Sequence, residues 1–344
     1  MTKGKTILIA GAGGYIGSKM VCTFLKKGYK IIALDRYFFG DVFLDLADNN
    51  NLKIVKDDIR FFDEKLLKGV DAVINLAAIS NDPASELDPK ITKSINYLGA
   101  LRLAQISKKM KIPRYILSSS CSVYGAGKGV LTEESKLAPI SEYAKSKIKA
   151  EQGVLSLADK NFSVTVLRLA TVYGLSKRRM RFDLIINIMT LHAWKNKKIF
   201  VMGGGKQWRP LIYINDVIKT FERMVIETKT SKINSQIFNT GSNDQNFQVL
   251  NVANLFKKYF SELEIEISPD DPDSRSYNVG FDKIAKYLDF KVTNRLEDGI
   301  FEIKEALEKG EIIDDLRTKT LDYYRFLMEA NSVLSSLKLN NCLF

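Results

Sequence analysis

Short apolar runs alternate with amphipathic, helix-length segments along the first half of the chain. Thr6–Ala10 is a continuous apolar run of strand length, as expected of a strand buried on both faces of a parallel sheet. Residues 15–27 place their apolar side chains on one helical stripe. The pattern predicts further strands at 30–34, 52–55, 72–76, 115–118 and 163–167, and helices at 41–49, 63–68, 90–110 and 141–160. Such alternation predicts an α/β fold with a doubly wound parallel sheet.

The rhythm changes in the second half of the chain. The pattern predicts a helix at 183–196, a strand at 199–202, a loop at 203–209, a strand at 236–239 that returns to the main sheet, and helices at 248–260, 298–309 and 316–337. We therefore expect a main domain at 1–175 with a returning segment at about 210–240, and an interleaved smaller α/β lobe from 176–209 and 241–314. Residues 315–344 are predicted to form a helical tail.

Composition narrows the functional classes. The chain has 344 residues, of which 45% are hydrophobic and 27% charged, so a globular protein is expected. No apolar run reaches the roughly 18–20 residues that cross a bilayer, so no membrane partner is expected. Three cysteines lie scattered without metal-ligand spacing, which predicts reduced thiols, no metal site and a cytoplasmic location. A nucleic-acid partner is not expected despite the net charge of +12, because no basic block is interleaved with aromatic residues.

A glycine-rich loop lies between the first predicted strand and helix. Gly11, Gly14 and Gly17 suit a tight turn, close approach of a pyrophosphate and tight helix packing, as in Rossmann-type dinucleotide sites. Asp35 ends the second strand, where a carboxylate binds the adenosine ribose and repels a 2′-phosphate, so NAD is the predicted cofactor. The neighbouring Arg36 is the residue that would suit that phosphate instead. The other predicted cofactor contacts are Tyr15, Ile16, Asp58, Ile59, Leu76, Ala77, Ala78 and Asn96.

Two polar groups mark a predicted reactive end. Tyr143 and Lys147 are four residues apart on a predicted helix and therefore share one face. The fifth strand ends in a serine run around Ser120, followed by Cys121, Ser122 and Tyr124. Three hydroxyl groups at that position either cap a turn or present hydrogen-bond donors to a ligand.

Together these motifs resemble the extended short-chain dehydrogenase/reductase superfamily, in its nucleotide-sugar epimerase/dehydratase branch, over roughly residues 5–310. The resemblance implies that Tyr143 is the catalytic base, Lys147 its activator and Ser120 the hydroxyl partner. It also implies a nucleotide-diphosphate sugar as substrate and a homodimer built on the helices near 90–110 and 141–160. Tyr143 and Lys147 also belong to the predicted cofactor site. The predicted substrate contacts are Ser80, Ser120, Ser122, Tyr143, Thr171, Asn187, Arg209 and Arg275.

Elementary electrostatics supports the tyrosine as a base. Ionising a free tyrosine at pH 7 costs about 4 kcal/mol, and an ammonium about 4 Å away returns up to roughly that amount at an effective dielectric near 20. The sequence therefore predicts that Lys147 and the charged nicotinamide bring the pKa of Tyr143 towards neutrality.

The residues after Ser120 separate the reactions of this branch. Enzymes of the 4,6-dehydratase type have Asp-Glu there, whereas this chain has Cys121 and Ser122. Cys121 is one residue out of register with the cysteine of 3,5-epimerases, so we expect a buried small residue, and we expect His192 to be a surface or packing residue. The favoured hypothesis is a nucleotide-sugar 4-epimerase of a surface-polysaccharide pathway. A hexose or heptose 4-dehydrogenase or ketoreductase without epimerisation is the alternative.

Other possibilities stay open at this stage. A 4,6-dehydratase, or a non-catalytic dinucleotide-binding sensor or RNA-binding protein, ranks below both. The basic segment 177–181 either clamps a diphosphate with arginine forks or is a solvated loop.

Overall fold

The computed structural model describes residues 4–227, 229–269, 275–338 and 342. The strands in chain order are β1 Thr6–Ala10, β2 Lys30–Asp35, β3 Leu52–Lys56, β4 Ala72–Asn75, β5 Arg114–Ser120, β6 Ala126–Leu131, β7 Ser163–Leu169, β8 Thr171–Tyr173, β9 Lys198–Val201, β10 Trp208–Tyr213, β11 Gln236–Thr240, β12 Asn246–Gln248, β13 Glu264–Ile267 and β14 Ser276–Val279. The α-helices are α1 Tyr15–Lys26, α2 Asp82–Ser85, α3 Pro89–Lys93, α4 Ala100–Lys109, α5 Glu142–Leu155, α6 Ile185–Asn196, α7 Ile214–Glu222, α8 Thr230–Ile233, α9 Val249–Phe256, α10 Asp282–Leu288, α11 Leu296–Glu308 and α12 Thr320–Leu337.

The central sheet has seven parallel strands in the order β11-β7-β5-β4-β1-β2-β3. Its two faces pack against separate hydrophobic cores, because successive side chains of a strand point to opposite faces. In β1, Ile7 and Ile9 belong to one core while Leu8 and Ala10 belong to the other. This confirms the predicted α/β fold and the burial of the first strand on both faces. The strand predicted at 236–239 does return to this sheet, beside β7.

Three small sheets follow the carboxyl ends of the main strands. They are β12-β10-β8, β13-β9 and β14-β6. None of β6, β8, β10, β12, β13 and β14 was predicted in full, because these strands have three to six residues and pair with distant partners rather than with sequence neighbours. The predicted loop 203–209 contains the start of β10 at Trp208.

Two predicted helices are only short 3₁₀ turns. The segments 41–49 and 63–68 form turns at Leu44–Leu46 and Glu64–Leu67. One buried side chain fixes each segment to the core, Phe43 in the first and Leu67 in the second, whereas Leu44 is 73% exposed. A longer helix needs a continuous apolar face, and these segments do not have one.

The helix predicted at 90–110 is interrupted by a π-helical turn at Ser94–Gly99 between α3 and α4. Gly99 packs against Ile59 here, and a Cβ atom at this position would lie 2.8 Å from the Ile59 Cδ1 atom. In the predicted tail, α12 follows a 3₁₀ turn at Leu316–Thr318, while residues 339–341, 343 and 344 lie outside the described residues.

Candidate functional site

A cavity of about 680 Å³ opens at the carboxyl ends of the central strands. The main sheet, the loops that precede α6 and α2, the small sheets and the first residues of α12 all contribute to its wall. The predicted site residues that line it are Gly11, Gly14, Tyr15, Ile16, Gly17, Asp35, Arg36, Asp58, Ile59, Leu76, Ala77, Ala78, Ser80, Ser120, Ser122, Tyr143, Lys147, Thr171, Arg209 and Arg275.

The glycine loop has the shape that a pyrophosphate requires. Gly11 has φ +82°, and a Cβ atom there would lie 2.7 Å from the backbone N of Ala77. A Cβ atom on Gly17 would collide with the carbonyl oxygen of Gly11, so only glycine permits this contact between helix and loop. Helix α1 begins without a side-chain cap, which leaves backbone N–H groups of its first turn beside the cavity.

Asp35 is held at the opposite edge of this loop. Its carboxylate accepts hydrogen bonds from the backbone N–H groups of Gly13, at 3.0 Å, and Tyr37, at 2.7 Å. Burial raises the pKa of Asp35, and these backbone hydrogen bonds oppose that rise. The neighbouring Arg36 pairs with Asp58 at 3.3 Å and lies 5.0 Å from the Phe38 ring centre. Arg36 shares the Asp58 carboxylate with Arg60, which lies closer to it, at 2.7 Å.

Helix α5 positions the predicted reactive pair. The Ser141 hydroxyl caps its first turn by accepting from the Ala144 N–H, and the Tyr143 N–H donates to the Ser85 hydroxyl at 2.9 Å. The Lys147 ammonium lies 5.6 Å from the centre of the Tyr143 ring and donates to the Ser118 carbonyl oxygen at 2.8 Å. The predicted side-by-side arrangement of these two residues is present.

In the protein alone, burial disfavours the charged forms of both Tyr143 and Lys147. Burial raises the pKa of Tyr143, and the nearby Asp82 carboxylate adds to the rise, while a hydrogen bond with Ser120 and the charge of Arg181 lower it. Burial lowers the pKa of Lys147 to about 8. Desolvation of the phenol outweighs the effects of Ser120 and Arg181 in the protein alone. The expectation that Lys147 and the charged nicotinamide together bring the pKa of Tyr143 towards neutrality stays a prediction.

A second polar cluster lies one helical turn further along α5. Glu151 and Arg168 form a buried ion pair, with 2.7 Å between Arg168 Nη2 and Glu151 Oε2. The Ser119 hydroxyl donates to Glu151, and Arg168 donates to the Tyr124 hydroxyl at 3.0 Å. Cys121 is buried and its thiol lies 3.4 Å from the Arg168 carbonyl oxygen, in agreement with the packing role expected for it. Burial also raises the pKa of this thiol.

The predicted substrate end contains both satisfied and unsatisfied polar groups. Arg275 forms an ion pair with Asp82, and the Arg209 guanidinium lies 5.7 Å from the Tyr277 ring centre. The Ser122 hydroxyl is buried and has no hydrogen-bond partner among the described residues. His192 also lines the cavity, half-buried and 6.0 Å from the Phe200 ring centre, and burial lowers its pKa.

Two predicted contact residues do not line the cavity. Asn96 accepts from the Ile79 N–H at 2.8 Å and donates to the Ser146 hydroxyl, so it fixes the loop after β4. Asn187 is fully buried, accepts from the Gly174 N–H at 3.0 Å and donates to the Tyr15 hydroxyl. Their protein partners indicate that both amide groups position neighbouring segments, and the predicted ligand contacts of Asn96 and Asn187 stay predictions.

Residues of the basic segment 177–181, predicted to be either a diphosphate clamp or a solvated loop, line the cavity, and so do residues of the tail, for which no part in the site was predicted. Arg181 is buried, donates to Asp183 at 2.9 Å and reaches the Ser80 hydroxyl at 3.2 Å. Arg179 also lines the cavity, as do Thr320 and Tyr324 of α12. The alternation Arg179, Met180, Arg181 was a usable signal, since residues two apart in an extended segment share one face.

Further findings concern metals and membranes. Within the described ranges, no group of three or more metal-ligating side chains occurs. Of the helices in the described part of the chain, none is long and apolar enough to cross a membrane.

Comparison with known proteins gives consistent matches. The family model described as the NAD dependent epimerase/dehydratase family matches residues 7–241. The chain is 30% identical over 227 residues to the "Uncharacterized UDP-glucose epimerase YtcB" of Bacillus subtilis (strain 168), covering 62% of this chain and 70% of that protein. It is 30% identical over 237 residues to a "Putative UDP-glucose 4-epimerase" of Methanocaldococcus jannaschii, covering 66% and 75%. The solved structure of MoeE5 in complex with UDP-glucuronic acid and NAD superposes with a TM-score of 0.77 at 25% identity, covering 89% of this chain and 99% of that one.

Proposed function

Because the chain belongs to the NAD-dependent epimerase/dehydratase family, a branch of the extended short-chain dehydrogenase/reductases, we propose that it is a nucleotide-sugar 4-epimerase. Membership confirms the family predicted from the sequence, together with the Rossmann-type fold. The observation that best supports the proposal is that one cavity contains the glycine loop, Asp35 and the Tyr143, Ser120 and Lys147 group.

The cofactor is NAD, as the sequence predicted. The residues present fit it, because a side chain at Gly11 or Gly17 would collide with neighbouring backbone and the wall beside α1 is therefore bare. We propose that the loop holds the pyrophosphate and that Asp35 binds the adenosine ribose. The Asp35 carboxylate lies beside the glycine loop and would repel a 2′-phosphate, which supports the choice of NAD over a 2′-phosphorylated dinucleotide.

In the proposed reaction, Tyr143 removes the proton of the sugar C4 hydroxyl. Ser120 shares a hydrogen bond with the Tyr143 phenol and donates to the C4 oxygen as that oxygen becomes a carbonyl. Lys147, in its protonated form, stabilises the phenolate. When bound, NAD supplies the acceptor and later the donor of the hydride, and its positively charged ring lowers the pKa of Tyr143. Rotation of the ketone before its reduction inverts C4.

The residues after Ser120 support epimerisation over dehydration. Loss of water requires an acid and a base near C5 and C6, and Cys121 and Ser122 stand where dehydratases place a carboxylate pair. Cys121 is buried against the Arg168 carbonyl oxygen with a raised thiol pKa, so it is poorly suited to proton transfer. Ser122 lines the cavity but carries no titratable carboxylate, so it supplies neither the acid nor the base of a dehydration.

A 4-dehydrogenase or ketoreductase remains the second candidate. The half-buried His192 on the cavity wall favours it, because a titratable imidazole there can exchange a proton with a sugar that is released after oxidation instead of being reduced again. The two candidates differ in cofactor stoichiometry, because an epimerase regenerates its own NAD whereas a dehydrogenase accumulates the reduced form.

The test has two parts. The purified protein is denatured, and the released dinucleotide and any bound nucleotide sugar are identified by mass spectrometry. The intact protein is then incubated with UDP-glucose and UDP-glucuronic acid, and inversion at C4 is followed by NMR without added NAD. Inversion without net reduced dinucleotide is the expected result. Stoichiometric reduced dinucleotide without inversion would contradict the epimerase proposal.

Tyr143→Phe tests the proposed base, and Tyr287→Phe is its matched control. It should lower turnover by about a thousandfold or more, because the base is removed, while NAD binding and thermal stability stay near those of the wild type. Tyr287→Phe, at a tyrosine that is 48% exposed, should leave turnover unchanged. Equal activity of the two variants would exclude Tyr143 as the base.

Three further parts of the proposal concern the setting of the enzyme. A homodimer is proposed through the helical segments near 90–110 and 141–160, where Ile91 and Leu98 are more than 40% exposed. Light scattering of the purified protein tests this. The three free cysteines support a cytoplasmic location. A role in surface-polysaccharide synthesis is proposed because the serine run around Ser120 and the segment that begins at Arg275 resemble those of enzymes from bacterial surface-polysaccharide pathways.

A further inference from the structure

The segment 177–181 divides its cations between two sides of the chain. Lys177 is exposed and pairs with Glu311 at 2.6 Å, and Arg178 pairs with Asp45 across the outer face. Arg179 and Arg181 are buried and line the cavity. The segment is therefore neither a wholly solvated loop nor a uniform clamp.

Arg179 differs from Arg181 in how its charge is balanced. Arg181 is paired with Asp183. Arg179 is 5% exposed and, within the described ranges, has no carboxylate partner within 4 Å; it donates only to the Met180 carbonyl oxygen and, at 3.2 Å, to the Thr320 hydroxyl. Its Nε–H is buried without any partner. Burying a guanidinium that has no carboxylate partner costs desolvation free energy, and a bound anion would offset that cost.

The surroundings of Arg179 locate it along the cavity. Its guanidinium lies 3.7 Å from the ring centre of Phe39, in the loop that follows Asp35 and β2. Its positive charge opposes the rise in the pKa of Asp35, so the two groups are near one another. Tyr324 of α12 contacts Phe38 and Phe39 at ring-centre distances of 6.4 and 5.6 Å. Arg179 thus lies beside the loop that follows β2, on the side of the cavity where Asp35 is.

We propose that Arg179 is a ligand of the cofactor's pyrophosphate, held in place by the first turn of the C-terminal helix α12. The chemistry it recognises is a pyrophosphate diester, a group that both a dinucleotide and a nucleotide sugar contain. The glycine loop offers backbone donors from one wall of the cavity, and Arg179 offers a charged fork from another. This inference concerns cofactor binding alone and does not depend on which sugar reaction follows.

The tail has a defined part in this arrangement. Thr320 accepts from Arg179 through its hydroxyl and donates its backbone N–H to Asp183 at 3.3 Å. Tyr323 donates to the Phe38 carbonyl oxygen at 2.9 Å. These contacts fix α12 against the loop after β2, so the tail closes the dinucleotide end of the cavity and should slow the release of NAD.

The experiment compares Arg179→Met with Lys177→Met, which removes the same charge from the exposed side of the same segment. Proteins loaded with NAD are passed through gel filtration, and the retained NAD is quantified. Dissociation constants for NAD, adenosine and UDP are then measured by calorimetry. Arg179→Met should weaken NAD binding by at least about tenfold and leave adenosine and UDP within about twofold, because only the charge-assisted bonds to the pyrophosphate are lost. Lys177→Met should leave all three unchanged.

Other outcomes overturn the proposal. Weaker UDP binding with unchanged NAD binding would assign Arg179 to the nucleotide sugar. Equal weakening of NAD and adenosine, or no weakening, would make Arg179 a structural residue. Should Arg179→Met fail to fold, Thr320→Val serves in its place. It should shorten NAD retention severalfold without changing adenosine affinity, and unchanged retention would refute the role of the tail.

Discussion

Two groups of buried polar side chains share helix α5 and the end of strand β5, and they differ in how their charges are satisfied. The reactive group consists of Tyr143, Lys147 and Ser120; the structural group consists of Glu151, Arg168, Ser119 and Tyr124. In the structural group every charge has an opposite charge, since Glu151 and Arg168 pair at 2.7 Å. In the reactive group the Lys147 ammonium has a carbonyl oxygen as its hydrogen-bond acceptor.

The difference shows how one scaffold separates stability from chemistry. A fully paired network fixes the fold and resists titration. A buried ammonium without a carboxylate partner has its pKa lowered to about 8, and therefore responds to charge that develops beside it. The separation is one helical turn, because Lys147 and Glu151 are four residues apart on α5.

The largest effect is expected from Lys147→Met. Removing the ammonium should lower kcat by about a hundred- to ten-thousand-fold, because the Tyr143 phenolate loses its stabilising charge. Thermal stability should stay the same or rise, since a buried charge without a carboxylate partner is removed. Turnover and melting temperature are measured on the same preparation. Loss of stability parallel to the loss of activity would place Lys147 in the structural group.

The next effect concerns the ion pair of the structural group. Arg168→Met should lower the free energy of unfolding by about 3–5 kcal/mol, because Glu151 is left buried without its partner. Activity per folded molecule should change little. Urea unfolding measures the loss, and the double variant Arg168→Met/Glu151→Met should regain much of it. A double variant as unstable as the single one would show that packing, not charge, determines the loss.

Two adjacent serines give a matched comparison with smaller effects. Ser120→Ala should lower kcat by about ten- to a hundredfold with stability unchanged, since its hydroxyl serves Tyr143. Ser119→Ala should lower stability by about 1–3 kcal/mol, because Ser119 donates to the buried Glu151 carboxylate, and should leave kcat unchanged. Steady-state kinetics and urea unfolding of both variants measure this exchange. Loss of kcat in Ser119→Ala together with loss of stability in Ser120→Ala would contradict the assignment of the two serines to their groups.

The smallest effect is a dependence of stability on pH. The folded pKa of Lys147 is lowered to about 8 from its ordinary value of 10.5, so between these values the unfolded chain binds more protons than the folded one. This group therefore adds stability as pH rises from about 8 to 10.5. The difference between wild type and Lys147→Met isolates the slope. A difference that is flat with pH would show that Lys147 titrates normally.

Local motifs account for what could be predicted about the site. The glycine loop, Asp35 and the Tyr143–Lys147 spacing each depend on neighbours within one turn or one strand end, and all line the cavity. Asn96 and Asn187 bind protein groups instead of lining the cavity, and the sequence could not indicate this because an amide suits a ligand and a backbone group equally well. Cys121 was assigned correctly from the strand alternation of side chains.

The sequence by itself determined the parallel sheet, the cofactor end and the helix that presents Tyr143, because hydrophobic period and short motifs are local properties of the chain. Only the tertiary structure decided that β8 pairs with β10, that Arg179 faces the cavity while Arg178 faces Asp45, and that α12 closes the cavity over Phe38 and Phe39. The direction of the Tyr143 pKa shift was also decided there. These features depend on burial and on contacts between residues that are far apart in the sequence, and the local pattern of hydrophobic and polar positions does not specify such contacts.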